Sequence, residues 1–413
     1  MRSLILYLLL FIPFVGIDMY FAEGIPVPTF FGFLLISTCY FMFFRKKFGV
    51  SSILHFSLFI IIPFISLIIN DLDNIFGRFK GFLALAYCVA FAQLYYGCIS
   101  NYSKYELLRG VKVCLGALVA FILIERFVPG VPEILHAVRD FVYVKDVYTN
   151  DLRDINDYGF VRPKLIFAEP AHLALYMTPL LWAYLLLEEN RKLVFLLCIL
   201  IPIFGHLFIG SPIFILCAGG SFSVALFKVM PFRLYLPSLV LFVVLAVAFL
   251  FLAASGFDSR TGEIVRGEDQ SARNRIFIPY RLVESVLSER PAFGIGVSGT
   301  ESAYSEFSVA YSKFGIRIFE GDVSWQHGIH FLGLNILLSF GIIGSLFLFL
   351  ILTGILFRFL PIEYVFLFYQ LTGLLQLAWG AYIDPYFWVV CALLFLVMRQ
   401  CSKVTDAKPV ISD

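Results

Sequence analysis

Residues 331–357 read FLGLNILLSFGIIGSLFLFLILTGILF, a run of 27 residues without one charged side chain. An α-helix rises about 1.5 Å per residue, and the hydrocarbon core of a bilayer is about 30 Å thick. This run is therefore predicted to be a membrane-spanning helix. A porin-type barrel is disfavoured, because its strands would alternate apolar and polar residues.

The chain as a whole is also strongly apolar. Of its 413 residues 60% are hydrophobic and only 15% are charged, and the mean hydropathy is +0.89. A soluble domain has about 45–50% apolar and about 25% charged residues. The composition excludes a soluble enzyme, a nucleic-acid-binding protein and a disordered chain. The eight cysteines form no Cys-x-x-Cys pair, and with no phosphate-binding loop we expect no metal and no cofactor.

Hydropathy predicts an all-α polytopic integral membrane protein that forms a single membrane domain over residues 1–413. About twelve spans are expected, at residues 3–21, 29–44, 52–69, 81–100, 113–128, 165–187, 193–209, 212–227, 234–254, 331–357, 362–380 and 383–398.

Loop charge predicts the orientation of these spans. Fifteen cations fall at the termini and in the short loops of one side, whereas the short loops of the other side hold only Arg78 and Lys80. Cytoplasmic loops carry the excess of Lys and Arg. Both termini are therefore predicted to be cytoplasmic, and residues 129–164 and 255–330 become two outer loops.

The second outer loop is rich in arginine. Seven of its eight basic residues are Arg, although its ten acids make its net charge negative. Guanidinium binds phosphate oxygens in pairs, so Arg273, Arg275 and Arg281 are candidate ligands of a diphosphate or another anion. The alternative is a solvated loop of mixed charge.

A helix is predicted within this loop at residues 276–289. Its Tyr280, Val283 and Leu287 share one face and Arg281 lies on the other, which is typical of an amphipathic helix at a membrane surface. Such a helix either presents Arg275 and Arg281 to a lipid-linked phosphate or merely closes the loop over the bundle.

Two glycines and two histidines follow this helix. Gly294 and Gly296 either let the backbone approach a ligand or simply form a turn. His327 and His330 lie at the entry to the tenth span. A neutral histidine there is either an interfacial residue or a general base for a sugar hydroxyl.

The end of the first outer loop also carries charge close to a span. Arg162, Lys164, Glu169 and His172 crowd the start of the sixth span. A carboxylate at that depth needs a partner, and we expect Arg162 or Lys164 to pair with Glu169. The carboxylate is either part of a structural ion pair or a group that orients or deprotonates an acceptor.

Two sequence blocks resemble a known family. Arg275 to Gly296, followed by His330 and then by Gly341 and Gly344, resembles the second periplasmic loop of bacterial O-antigen polymerases and O-antigen ligases. Many relatives carry Glu two residues before the first of these last glycines, where this chain has Ser339.

The first block separates the two branches of that family. Arg followed seven residues later by Glu-Pro-Ser, just before a span, is typical of capsule, exopolysaccharide and O-antigen polymerases. Here the block runs from Arg162 to Glu169-Pro170, with Ala171 in place of Ser. It therefore favours the polymerase.

The resemblance implies a GT-C-like glycosyltransferase fold in the bacterial inner membrane, with two periplasmic loops and no metal. The enzyme would join undecaprenyl-diphosphate-linked repeat units on the periplasmic face, with inversion, and a chain-length regulator would be its partner. His330 or Glu169 would be the base. Arg162, Arg275 and Arg281 would stabilise the leaving diphosphate. We expect the other residues picked out by position and clustering to bind substrate or diphosphate beside them, namely Lys164, His172, Arg273, Gly294, Gly296 and His327.

Two alternatives remain open. A ligase would transfer the finished glycan to lipid A-core and fits the second block equally well. A flippase for the same lipid-linked unit belongs to another class, which relies on internal repeats and polar sites at mid-membrane depth. No repeat is found here, and the polar residues concentrate in the outer loops.

Overall fold

The chain is described by a computed structural model for residues 2–14, 19–22, 25–27, 30–43, 61, 63–65, 68, 75–142, 151–167, 169–211, 213–235, 277–297, 304–313, 315, 317, 332–376 and 384–406. Two of the predicted spans, 52–69 and 234–254, lie mostly outside these residues.

Helices make up the described part of the chain apart from one short hairpin and the connecting segments. In chain order the helices are α1 Arg2–Phe11, α2 Phe30–Phe43, α3 Ile75–Ile99, α4 Lys104–Phe127, α5 Val131–Val142, α6 Asp151–Tyr158, α7 Pro170–Leu187, α8 Arg191–Phe204, α9 Ile213–Val229, α10 Ile278–Glu289, α11 Tyr304–Ser312, α12 Leu332–Phe359, α13 Ile362–Gln376 and α14 Pro385–Asp406.

Five stretches of helix are long and apolar enough to cross a bilayer. They are Arg78–Ile99, Lys104–Phe127, Pro170–Leu187, Gly333–Phe359 and Pro385–Ser402. The chain is thus an α-helical, multi-pass membrane protein, as its composition predicts.

The first predicted span is wrong in extent. Helix α1 ends at Phe11 and passes into a 3-10 turn at Ile12–Phe14. Strand β1, Met19–Ala22, then pairs antiparallel with strand β2, Ile25–Val27. Pro13 has no N–H to continue the helical hydrogen bonds, so an apolar run of sufficient length does not become one helix here.

Helix α4 begins nine residues before the predicted span does, because a capping box starts it. Ser103 Oγ accepts a hydrogen bond from Glu106 N, and Glu106 Oε2 accepts one from Ser103 N at 2.8 Å. This reciprocal pair satisfies two donors at the start of the helix. Hydropathy registers only the apolar run, which begins further along the helix.

Five of the cations assigned to one side of the membrane lie at one end of the bundle. They form the pairs Arg2–Asn101, Lys104–Glu189, Lys112–Glu188, Lys228–Glu188 and Arg399–Tyr96, and Gln400 donates to the carbonyl of Tyr102 beside them. The starts of α1 and α4 thus lie with the ends of α3, α7, α9 and α14. We call the opposite end of the bundle, to which the two predicted outer loops belong, the outer end.

Two apolar clusters hold the structure together. The larger is built from the helices of the bundle, with Trp182 of α7 among its most deeply buried side chains. The smaller lies in the second outer loop and joins α10 and α11 to the start of α12. Its members are Ile278, Leu282, Val283, Val286, Ile295, Phe307, Ala310, Tyr311 and Leu338.

Candidate functional site

At the outer end, Glu125 in the last turn of α4 holds the end of the first outer loop. Its Oε2 accepts hydrogen bonds from the backbone N–H of Lys164, at 3.0 Å, and of Leu165, at 2.7 Å. Its Oε1 lies 3.3 Å from the guanidinium of Arg139 on α5. Both side chains are buried, so a charged pair ties two elements of the loop to a span.

Leu165 is held in an unusual backbone conformation by this pair. Its φ is +51°, a left-handed value that non-glycine residues rarely adopt. Arg139 Nη1 donates to the Leu165 carbonyl at 2.5 Å while Glu125 binds the N–H of the same residue. The sixth span is consequently shorter than predicted, because α7 begins at Pro170 and not at residue 165.

The predicted pairing of Glu169 with Arg162 or Lys164 is wrong. Arg162 Nε lies 2.7 Å from Asp154, whose side chain is completely buried, and Lys164 Nζ lies 2.8 Å from Asp151. Both acids belong to α6, within the first outer loop. The two cations thus stabilise the fold of that loop, since an unpaired buried charge would be costly.

Glu169 and His172 lie exposed at the start of α7. Glu169 is the N-cap residue, and its carbonyl accepts a hydrogen bond from His172 N at 3.1 Å. Its side chain makes no capping hydrogen bond, and no cation of the described residues lies within ion-pair distance of it. A carboxylate at the outer end of a span is therefore accessible to a ligand.

Helix α10 confirms that the second outer loop contains an amphipathic helix, although its buried face differs from the predicted one. The buried side chains are Ile278, Pro279, Leu282, Val283 and Val286. Tyr280, placed on the apolar face from spacing, is 58% exposed. The helix begins at Ile278, two residues later than predicted.

Arg281 lies on the exposed side of α10, as predicted. Its Nη1 is 2.6 Å from Glu284, one turn later. The hydrogen bond from Arg281 lowers the pKa of the Glu284 carboxyl. Because both side chains are about half exposed, the pair can open to let the guanidinium bind another anion.

Gly294 and Gly296 dock against a break in helix α12. The break is at Gly341, which has φ +64° and ψ −169°. Four backbone hydrogen bonds of 2.8–3.0 Å join the two segments, from Ile295 N to Leu338 O, from Gly296 N to Ser339 O, from Ile342 N to Pro291 O and from Ile343 N to Ala292 O. We call this arrangement the glycine latch.

The glycines of the latch are required by close backbone contact. A Cβ on Gly294 would lie 2.2 Å from Leu338 O, and a Cβ on Gly341 would lie 2.6 Å from Ala292 O. The docked segment, residues 291–296, also satisfies carbonyl and N–H groups that the break in α12 releases. These glycines therefore serve backbone packing, where a ligand was one of the two predicted alternatives.

Arg78 is a residue of the outer end that sequence reasoning counted only as a loop cation. It lies at the start of α3 with 1% of its surface exposed, and its Nη1 donates to the Ile295 carbonyl at 3.0 Å. Arg78 thus ties α3 to the glycine latch. One sequence feature could have indicated this role. Arg78 lies at the edge of a predicted span, where a cation requires a partner.

Several predicted site residues lie outside the described residues, namely Arg273, Arg275, His327 and His330. Within the described ranges no group of three or more His, Cys, Asp or Glu residues could hold a metal ion. Of the predicted site residues, Glu169 and His172 at the start of α7 and Arg281 on α10 are thus described and exposed, and no described contact joins the pair on α7 to Arg281.

Comparisons with known proteins give no relative. No family model matches the sequence, no curated protein matches it, and no solved structure matches it.

Proposed function

We propose that this chain is a polymerase of undecaprenyl-diphosphate-linked oligosaccharides. It would act in the bacterial inner membrane, with twelve spans, a GT-C-like arrangement and cytoplasmic termini. The product would be O-antigen or a related surface polysaccharide. The two sequence blocks that resemble the polymerases carry the family assignment, and the geometry of the outer end supports the chemistry.

The exposed carboxylate of Glu169 is the observation on which the catalytic part of the proposal depends. Two acids of the preceding loop, Asp154 and Asp151, are paired with Arg162 and Lys164. Glu169 has no such partner among the described residues and stands at a helix N-terminus, where negative charge is favourable. Its exposed position directly before the sixth span makes it the candidate carboxylate for an acceptor hydroxyl.

The reaction would form one bond and break one bond. An acceptor hydroxyl oxygen attacks the anomeric carbon of the donor, and the bond from that carbon to the diphosphate breaks with inversion. The hydroxyl proton passes to the base, for which Glu169 and His330 are the candidates. Charge then develops on the leaving diphosphate, which Arg275 and Arg281 would stabilise.

The glycine latch brings together the two ends of the second sequence block that resembles the polymerases, residues 291–296 and 338–343. It joins residues that are more than forty positions apart, and it fixes α10 and Arg281 against the outer half of α12. Gly294 and Gly341, which belong to the two ends of this block, contact each other directly. Because Arg162 and Lys164 form ion pairs within the first outer loop, we assign them a structural role. Binding of the diphosphate is assigned to the arginines of the second outer loop.

Glu169→Gln is expected to slow chain growth by about 10²–10⁴-fold if Glu169 is the base. The change removes the charge and keeps the size of the side chain. The measurement is the initial rate at which purified protein extends lipid-linked units. Glu133→Gln, which alters an exposed carboxylate of the first outer loop, is the control, and a wild-type rate for Glu169→Gln would assign the base to His330.

Arg281→Ala is expected to abolish chain growth without reducing the amount of folded protein. The side chain is exposed and its only described ion pair is with Glu284, so its loss leaves the core intact. The control is Glu284→Gln, which frees the guanidinium and should preserve activity. Full-length polymer from Arg281→Ala would place the diphosphate site elsewhere.

The cellular test of the function is the gel profile of lipopolysaccharide from a deletion strain. Core that carries a single repeat unit would show that units are made, exported and ligated without being joined, as the proposal requires. Bare core with long polymer on undecaprenyl diphosphate would indicate the ligase. Bare core without polymer would indicate the flippase.

A further inference from the structure

Helix α5 of the first outer loop has its polarity reversed relative to a helix on a water-soluble surface. Its Arg139 faces the protein and is buried against Glu125. Ile134, Ala137 and Val138 lie three and four residues apart, hence on one face, and all three are exposed, Ile134 by 64%. A helix in water would place these two kinds of residue the other way round.

Helix α6 shows the same reversal independently. Asp154 is completely buried and pairs with Arg162. Leu152 and Ile155, three residues apart, are turned outward, and Leu152 is 79% exposed. Two neighbouring helices thus direct a charged side chain inward and apolar side chains outward, which indicates that their surroundings are apolar.

Both helices are fixed at the level where α4 leaves the membrane. Arg139 of α5 reaches back to Glu125, in the last turn of α4. The segment that follows α6 also returns to α4, because the guanidinium of Arg126 lies 3.8 Å from the centroid of the Phe160 ring. Helix α4 has 24 residues and so spans about 36 Å, against a hydrocarbon core of about 30 Å. Its last turn therefore lies at headgroup depth.

The exposed apolar faces continue a surface that already faces lipid. Helix α4 is one of the spans, and its Phe121, Ile124 and Phe127 are exposed near the outer end. Val128, also exposed, follows directly, and Gly130, with φ +84°, turns the chain into α5. The apolar surface thus passes from a membrane span onto the loop without an intervening charged face.

We propose that α5 and α6 lie in the membrane interface at the outer end, with Ile134, Val138, Leu152 and Ile155 inserted among the lipid acyl chains. The occupant of this surface is the bilayer itself. The inserted face of α5 is apolar while the flanking Glu133 and Asp140 are polar and exposed, as an interfacial helix requires. The first outer loop then lies on the membrane surface beside the outer end of α4. This inference does not depend on the proposed enzymatic activity.

Site-specific photocrosslinking of the full-length protein in its native membrane tests the proposal. A photoreactive phenylalanine analogue is introduced singly at residues 134, 138, 152 and 155, and at the control positions 133 and 140. These six side chains are exposed, so the analogue has room at each position. After illumination, mass spectrometry separates phospholipid adducts from protein adducts.

The expected result is phospholipid adducts at the four apolar positions and no such adducts at the two controls. A protein adduct at the apolar positions would overturn the proposal, because the surface would then bind a partner protein. Equal lipid labelling at all six positions, or labelling at none of them, would also overturn it, since neither pattern comes from an ordered helix with one inserted face.

Discussion

Replacing Glu125 with alanine is expected to destabilise the protein by about 3–5 kcal/mol, the usual cost of removing one partner of a buried ion pair. The carboxylate is 6% exposed and the guanidinium of Arg139 is 3% exposed. The change leaves a buried cation without its anion and removes the acceptor of two backbone N–H groups, at Lys164 and Leu165. Unfolding in mixed micelles of mild detergent and dodecyl sulfate measures the loss.

The controls for Glu125 separate the loss of a buried pair from the loss of any carboxylate. Glu133→Ala, in the exposed first turn of α5, is expected to change stability by less than about 0.5 kcal/mol. The double change Glu125→Ala with Arg139→Ala should recover part of the loss, because no unpaired cation remains. A Glu125→Ala protein as stable as the wild type would contradict the buried clamp.

Replacing Gly294 with alanine is expected to open the glycine latch. The added Cβ would lie 2.2 Å from Leu338 O and 2.7 Å from Gly341 N. These are backbone atoms, so relief requires movement of α10 or α12. We expect a cost of about 1–3 kcal/mol from overpacking, with about 1 kcal/mol or more from a φ of +61°. Thermal unfolding measures it.

Substitutions at two other glycines separate the contribution of backbone strain from that of the close contact. Gly315 also has a positive φ, +70°, but a Cβ there meets no atom within 4 Å, so Gly315→Ala reports the backbone strain alone. Gly354 lies within α12 with open space around it, and Gly354→Ala is expected to be neutral or stabilising, by up to about 1 kcal/mol. If Gly294→Ala costs no more than Gly315→Ala, the close contact in the latch is contradicted.

Hydropathy predicts the class of this fold because one physical requirement dominates it. Backbone groups in lipid must be satisfied internally, so long apolar runs such as residues 331–357 become helices. The ends of the helices are set by local chemistry that hydropathy does not register. Pro13 ends the first helix early, and the capping box at Ser103 starts α4 within a polar stretch.

The sequence predicted which charged residues lie at the start of the sixth span, but it did not predict their ion-pair partners. Charge and spacing identified Arg162, Lys164 and Glu169 as one group at the outer end. The partners Asp151 and Asp154 could not be assigned from the sequence, because they lie on α6, a helix too short and polar to appear in a hydropathy profile. The glycine latch was equally hidden, since Gly-x-Gly predicts a close backbone approach but does not identify the approaching segment.

The most direct test of the proposed activity uses purified wild-type protein in lipid nanodiscs with undecaprenyl-diphosphate-linked repeat units of the parent strain as the single substrate. We expect a ladder of longer lipid-linked chains and release of undecaprenyl diphosphate, with both lost in the Arg281→Ala protein. Units that stay single under these conditions, and that are transferred only when lipid A-core is added, would contradict it.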